Sequence, residues 1–98
     1  MRSLPEQFEG RRDTAGWLFR QIRRNGQYAI YERTRGDEFT YEVIRILKYA
    51  SDKQVNGRFL ARRGDEYYPK PSEWGIYAWS LMTREAAEAK YNEFTHQG

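Results

Sequence analysis

Residues 17–34 read WLFRQIRRNGQYAIYERT, and this stretch decides the fold. Asn25-Gly26 stands between two runs that are rich in aromatic and aliphatic residues. Asn-Gly is the strongest short hairpin signal, because both residues tolerate the positive φ that a type I′ turn requires. The pattern therefore predicts a strand at 17–24, a tight turn, and a second strand at 27–34.

The first half of this stretch also fits a helix. Asp13 or Thr14 would be its N-cap, and Gly26 would end it. Trp17, Leu18, Gln21 and Ile22 would then lie on one face of it. Both interpretations stay open from the sequence, and the hairpin is the one we prefer.

The rest of the chain predicts further strands and one helix. Residues 39–49 (FTYEVIRILKY) are rich in β-branched and aromatic residues and half apolar on both faces, which indicates an interior strand. Residues 58–63 and 76–82 predict two more strands, and Thr83 is a good N-cap for a helix over 83–94. We therefore predict an α+β fold, an antiparallel sheet of four to five strands with one C-terminal helix packed on a face.

Length and composition limit what the protein can be. A chain of 98 residues forms one small domain. We assign residues 14–98 to a single α+β domain and expect the polar residues 1–13 to form a flexible N-terminal arm. The absence of cysteine excludes disulfides and thiolate metal sites. No apolar run approaches the roughly 20 residues that span a membrane, so we expect a protein of the bacterial host cytosol without a membrane partner.

Several short motifs recur in an order that resembles a group of small uncharacterised proteins encoded by bacteriophages and prophages. They are Tyr28–Glu32 (YAIYE), Tyr41–Ile44 (YEVI), Glu66–Pro69 (EYYP), Trp74–Ser80 (WGIYAWS), Glu85–Ala87 (EAA) and Phe94. The usual pattern of the group is YALYE, YEVI, YPSSEEWGxYGW and a short helix, and the match covers about residues 26–95. Ala78 stands where a glycine is common, and Lys70-Pro71 replaces small polar residues. The resemblance implies a phage-type origin and an accessory role against host machinery or host defence, with no activity attached.

The basic residues are concentrated near the start of the chain. Residues 11–35 hold seven basic and two acidic side chains, within a net charge of +3 for the whole protein. A sheet face with arginines and aromatic residues can bind a protein partner or stack nucleic-acid bases. The residues predicted for such a face are Arg20, Arg23, Arg24, Tyr31, Arg33 and Arg35.

A second predicted binding element is the proline-containing loop YYPKPSEW at 67–74. A stiff loop loses little entropy when it binds, and its candidate residues are Tyr67, Tyr68, Lys70 and Trp74. His96 is the only histidine and has no neighbouring ligand set, so we expect no metal, no cofactor and no catalytic residues. The predicted function is binding of a host or phage protein, with a nucleic-acid module and a self-associating homodimer as the alternatives.

Overall fold

The computed structural model describes residues 2–70 and 73–96. The strands in this part of the chain are β1 Gln7–Glu9, β2 Leu18–Asn25, β3 Tyr28–Arg35, β4 Glu38–Arg45, β5 Leu47–Lys48, β6 Lys53–Val55, β7 Arg58–Ala61, β8 Glu66–Tyr67 and β9 Ala78–Leu81. A single turn of 3₁₀ helix covers Arg12–Thr14, and helix α1 covers Arg84–His96. None of the described helical segments has the length and apolar character needed to cross a membrane.

Five strands form the main sheet in the order β1-β2-β3-β4-β9, and every neighbouring pair is antiparallel. Helix α1 packs on one face of this sheet, against β3, β4 and β9. The predicted α+β fold is therefore confirmed, with five strands and the C-terminal helix. Two small ladders, β5 with β8 and β6 with β7, lie outside the main sheet.

The stretch that decides the fold is a hairpin. Strand β2 pairs with β3 in a register that places Phe19 opposite Arg33, and β2 also pairs with β1 on its other side. The helical interpretation of this segment is wrong, because the backbone groups of β2 find their partners in neighbouring strands. Trp17 itself precedes the strand.

The two Asn-Gly turns differ. Asn25 pairs with Tyr28, so the turn residues are Gly26 and Gln27, and of these only Gly26 has positive φ, at 63°. The predicted type I′ turn is thus displaced by one residue and has a glycine at its first central position, as type II′ turns do. At Asn56-Gly57 both φ values are positive, 53° and 76°, so this turn has the geometry that Asn-Gly favours.

The strand predicted at 39–49 is interior but interrupted. Strand β4 lies between β3 and β9, as its apolar faces indicate. The Ile46 amide still donates to the Gln27 carbonyl at 2.6 Å, next to the last pair of the β3–β4 ladder. Leu47–Lys48 then pairs with β8, outside the main sheet. Ile46 is buried at this bend.

Helix α1 begins and packs as predicted. The Ala86 amide donates to Thr83 Oγ1 at 3.1 Å, so Thr83 is the N-cap. The core on this face contains Ile30, Val43, Ala87 and Tyr91, with Phe94 packed against it. The stripe of Ala87, Tyr91 and Phe94 therefore covers the sheet.

The opposite face of the sheet is covered by segments that have little regular structure. Its core contains Leu4, Trp17, Phe19, Ala29, Tyr31, Ile44, Ile46 and Ala78. Leu4 is buried, and the Phe8 ring stacks on the Phe19 ring with centroids 4.7 Å apart. The expectation of a flexible arm over residues 1–13 is corrected for residues 2–13, because their two large apolar side chains complete this core.

Candidate functional site

The arginines predicted for one binding face are divided between the two faces of the sheet. A β-bulge between Gln21 and Arg23 reverses the alternation of side chains along β2. Arg20 and Arg23 consequently lie on the face that carries α1, where the Arg23 guanidinium sits 4.4 Å from the centroid of the Tyr91 ring. Arg24 and the predicted residues of β3 lie on the opposite face.

Each of these five arginines is paired with a carboxylate. The pairs are Arg20 with Glu32 at 3.0 Å, Arg23 with Glu88, Arg24 with Glu66 at 2.8 Å, Arg33 with Glu42 at 2.9 Å, and Arg35 with Glu38 at 3.0 Å. Four of the five carboxylates come from outside residues 11–35. The local excess of positive charge is therefore largely neutralised in the folded protein.

Glu42 is the centre of a buried polar network. Its carboxylate is fully buried, and Arg33 Nη1 donates to its Oε2 at 2.9 Å. The Tyr68 hydroxyl donates to Oε1, and the Ser80 hydroxyl lies 3.4 Å from Oε2. The Arg33 guanidinium also stacks on the Trp17 ring at 4.2 Å from its centroid. Both oxygens of Glu42 are thus already engaged.

A cleft of about 570 Å³ lies beside this network. Its lining includes Arg33, Glu42 and Tyr68, apolar side chains such as Phe8 and Trp74, and the mostly charged segment 9–13. Both oxygens of the Glu42 carboxylate accept hydrogen bonds, from Arg33 and from Tyr68, so the three residues form one hydrogen-bonded part of the cleft lining.

The hydroxyls of two tyrosines are held protonated in this region. Burial raises the pKa of Tyr31 to about 12, despite the opposing hydrogen bond from Gln21. Burial next to the Glu42 carboxylate raises the pKa of Tyr68 well above 10. Tyr31 is fully buried and its hydroxyl donates to the Pro5 carbonyl at 2.7 Å. The predicted role of Tyr31 in stacking on a partner is therefore wrong for this conformation.

Two of the four candidate residues in the predicted loop at 67–74 contribute to the core of the protein. Tyr68 and Trp74 pack against the core of the opposite face. Tyr67 lies against Tyr49, with ring centroids 4.6 Å apart, and Lys70 is exposed with its Nζ 5.4 Å from the Tyr67 ring. Pro71, which contributed to the prediction of a stiff loop, lies outside the described residues.

Asp65 and Glu66 fasten the N-terminal segment to the rest of the fold. Asp65 accepts hydrogen bonds from the Arg62 and Arg2 amides, and these lower its pKa. Arg24 forms a two-pronged pair with Glu66 at 3.0 and 2.8 Å, and this pair is the main cause of the lowered pKa of Glu66. The Leu4 amide donates to the same carboxylate.

The contacts of Asp65 and Glu66 predict that the stability of the fold falls in acid. Because both folded-state pKa values lie below the unfolded values of about 3.9 and 4.3, the ionised carboxylates stabilise the fold. We expect this stabilisation to be complete above about pH 5 and to be lost as the pH falls through the folded-state pKa values. Urea unfolding between pH 7 and pH 3 should show a steeper loss of stability in the natural chain than in Asp65→Asn/Glu66→Gln. Parallel pH curves for the two proteins would contradict the assignment.

The β6–β7 hairpin differs from every other element described. Residues 53–60 are all exposed, and the two strands form a sheet of their own. Its apolar side chains Val55, Phe59 and Leu60 are 48%, 43% and 49% exposed. The radius of gyration of 14.1 Å exceeds the roughly 13 Å expected for a compact chain of this length, in keeping with a projecting hairpin.

The hairpin and the two residues that follow Ala61 carry cations without a carboxylate partner in the described part of the chain. They are Lys53, Arg58, Arg62 and Arg63. None of the four forms an ion pair within residues 2–70 and 73–96. We call these four residues together with Val55, Phe59 and Leu60 the hairpin surface. The strand at 58–63 was predicted from the sequence, but the predicted binding residues all lie outside this segment.

Comparisons with protein-family models, with curated proteins and with solved structures found no match for this chain. The case for its function therefore depends on the geometry described above.

Proposed function

We propose that this protein binds a protein partner through the hairpin surface and does not act as an enzyme. The observation that carries the proposal is the exposure of Val55, Phe59 and Leu60 on a hairpin whose only buried residue is Ala61. Apolar side chains grouped on one projecting element are typical of a surface that another protein covers.

Energetics support the same conclusion. Two-stranded hairpins are at best marginally stable in water, and apolar side chains gain about 25 cal/mol for each Å² that leaves the solvent. A partner that covers Phe59 and Leu60 would stabilise both the complex and the hairpin. Aromatic residues next to arginine are frequent anchors of protein interfaces, and the Arg62 guanidinium lies 3.3 Å from the centroid of the Phe59 ring.

The resemblance to small phage and prophage proteins supports an accessory role. Under this proposal the partner is a host or phage protein in the bacterial cytosol, and binding inhibits host machinery or host defence. Glu42 is paired with Arg33 and accepts a hydrogen bond from Tyr68, and these contacts are typical of a buried carboxylate that supports the fold.

A matched pair of double variants tests the proposal. Phe59→Ser/Leu60→Ser removes the apolar part of the hairpin surface. Phe39→Ser/Leu18→Ser removes the same residue types, with similar exposures of 54% and 49%, from the main sheet. We expect the natural chain and the Phe39/Leu18 variant to retain the same protein from nuclease-treated bacterial lysate, as measured by quantitative mass spectrometry. The Phe59/Leu60 variant should retain at least tenfold less.

Circular dichroism must show that both variants fold. Equal retention by the two variants, or equal loss in both, would refute a role for the hairpin surface. Retention that is found in untreated lysate and is absent from nuclease-treated lysate would exclude a directly bound protein.

Nucleic-acid binding is the second candidate, because the hairpin surface holds cations free to meet phosphates. Fluorescence anisotropy with single-stranded DNA, RNA and duplex DNA would detect it. In that case Arg58→Gln/Arg62→Gln should abolish binding at physiological salt. Arg23→Ala/Arg24→Ala should have little effect, because both of those arginines are paired.

A further inference from the structure

We infer that the surface of the partner that meets the hairpin is acidic, with carboxylates placed around an apolar patch. This inference rests on the proposed protein partner and adds its chemistry. Residues 53–63 contain four cations and no anion, which leaves a formal charge of −1 on the rest of the chain. Residues 53–63 thus combine cations that form no ion pair within the described residues with the exposed apolar side chains Val55, Phe59 and Leu60.

The local hydrogen bonds leave the cationic groups free. Asp65 Oδ2 accepts from the Arg62 amide at 3.0 Å, and Asp52 Oδ1 accepts from the Arg63 amide at 2.8 Å. The two carboxylates at the base of the hairpin therefore bind backbone groups, and they form no ion pair with the guanidinium of either residue. A partner must provide the anions that the fold does not.

Apolar and cationic side chains alternate across the hairpin. Val55 lies opposite Arg58 in the ladder, so the two side chains share a face. Phe59 is covered by the Arg62 guanidinium. Covering the apolar groups therefore removes water from the cations as well, and burying an unpaired cation is costly. A partner with carboxylates at matching positions avoids that cost and is attracted over a distance.

The same charges disfavour other occupants. Two copies of the chain would bring four cations against four. A nucleic acid would also meet the remainder of the chain, which is slightly negative, and the aliphatic side chains of Val55 and Leu60 offer no stacking platform for bases. An acidic protein surface satisfies both the charges and the apolar groups.

Carbodiimide cross-linking tests the inference, because it joins a primary amine directly to a carboxylate. Lys53 is the only lysine in residues 53–63. The probe is the protein retained by the natural chain in the lysate experiment. We expect mass spectrometry to find Lys53 joined to an Asp or Glu of that protein. Lys53→Arg keeps the charge but lacks the amine, so it should retain the partner and lose the cross-link.

A variant that removes two positive charges of the hairpin surface provides a second test of the inference. We expect Arg58→Gln/Arg62→Gln to lower retention at least tenfold, with the paired-arginine variant Arg20→Gln as the control. If retention depends on Phe59 and Leu60 while Lys53 forms no cross-link and Arg58→Gln/Arg62→Gln retains the partner, the inference is overturned and the proposed function stands. If retention of the partner does not depend on Phe59 and Leu60, the inference and the proposed function are both overturned. Binding only to RNA or to anionic phospholipid vesicles would also overturn it.

Discussion

Arg33→Ala is expected to lower the free energy of unfolding by about 3–5 kcal/mol, because it leaves the buried Glu42 carboxylate without its cation. The hydroxyls of Tyr68 and Ser80 would remain, but neither carries a compensating charge. The variant also removes the guanidinium that stacks on Trp17. Urea unfolding followed by tryptophan fluorescence and circular dichroism would measure the loss.

Arg20→Ala is the matched control. Its side chain is 60% exposed and pairs with Glu32 on the other face of the sheet, so its loss should cost no more than about 1 kcal/mol. Adding Glu42→Gln to Arg33→Ala removes the unpaired charge and should restore part of the lost stability. If Arg33→Ala costs no more than Arg20→Ala, the Glu42 network is not a source of stability.

Tyr31→Ala should have an effect of similar size. Tyr31 has no exposed surface, and its ring contacts Tyr68 and Phe8 with centroid distances of 5.3 and 5.7 Å. The truncation leaves a cavity beneath the N-terminal segment, and replacing a buried aromatic residue with alanine costs about 3–5 kcal/mol. It also leaves the Pro5 carbonyl and the Gln21 amide without a partner.

Two variants separate these contributions. Tyr31→Phe keeps the ring and removes only the hydroxyl, so about 1–3 kcal/mol is expected for the two hydrogen bonds. Phe39→Ala, at a ring that is 54% exposed on the adjacent strand, should cost less than about 1 kcal/mol. Equal costs for Tyr31→Ala and Phe39→Ala, measured by the same urea unfolding, would contradict the burial assigned to Tyr31.

The arginines show where prediction from the sequence stopped. The sequence identifies residues 11–35 as strongly basic, and the structure neutralises the five predicted arginines with carboxylates from as far away as Glu88. Charge counted along a chain cannot reveal this, because ion pairs depend on which strands and helices become neighbours. The bulge in β2, which moves Arg24 to the opposite face from Arg20, has no clear signal in the sequence either.

In the hairpin surface, the local structure could be recognised from the sequence, whereas the exposure of its side chains could not. Asn56-Gly57 and the strand after it were recognisable, because a type I′ turn depends on two adjacent residues alone. Whether Val55 and Leu60 lie in a core or in water depends on which other parts of the chain pack against them, and this is set by the tertiary fold.

The sequence by itself determined the α+β class, the β2–β3 hairpin and the capped C-terminal helix. These follow from side-chain periodicity, turn residues and capping, which act between residues close together in the chain. Only the tertiary structure decided that the N-terminal segment closes the second core and that Glu42 is buried with Arg33. It also decided that the cations of residues 53–63 form no ion pair within the described part of the chain. Burial and charge pairing arise between residues far apart in sequence, so they are settled only when the chain has folded.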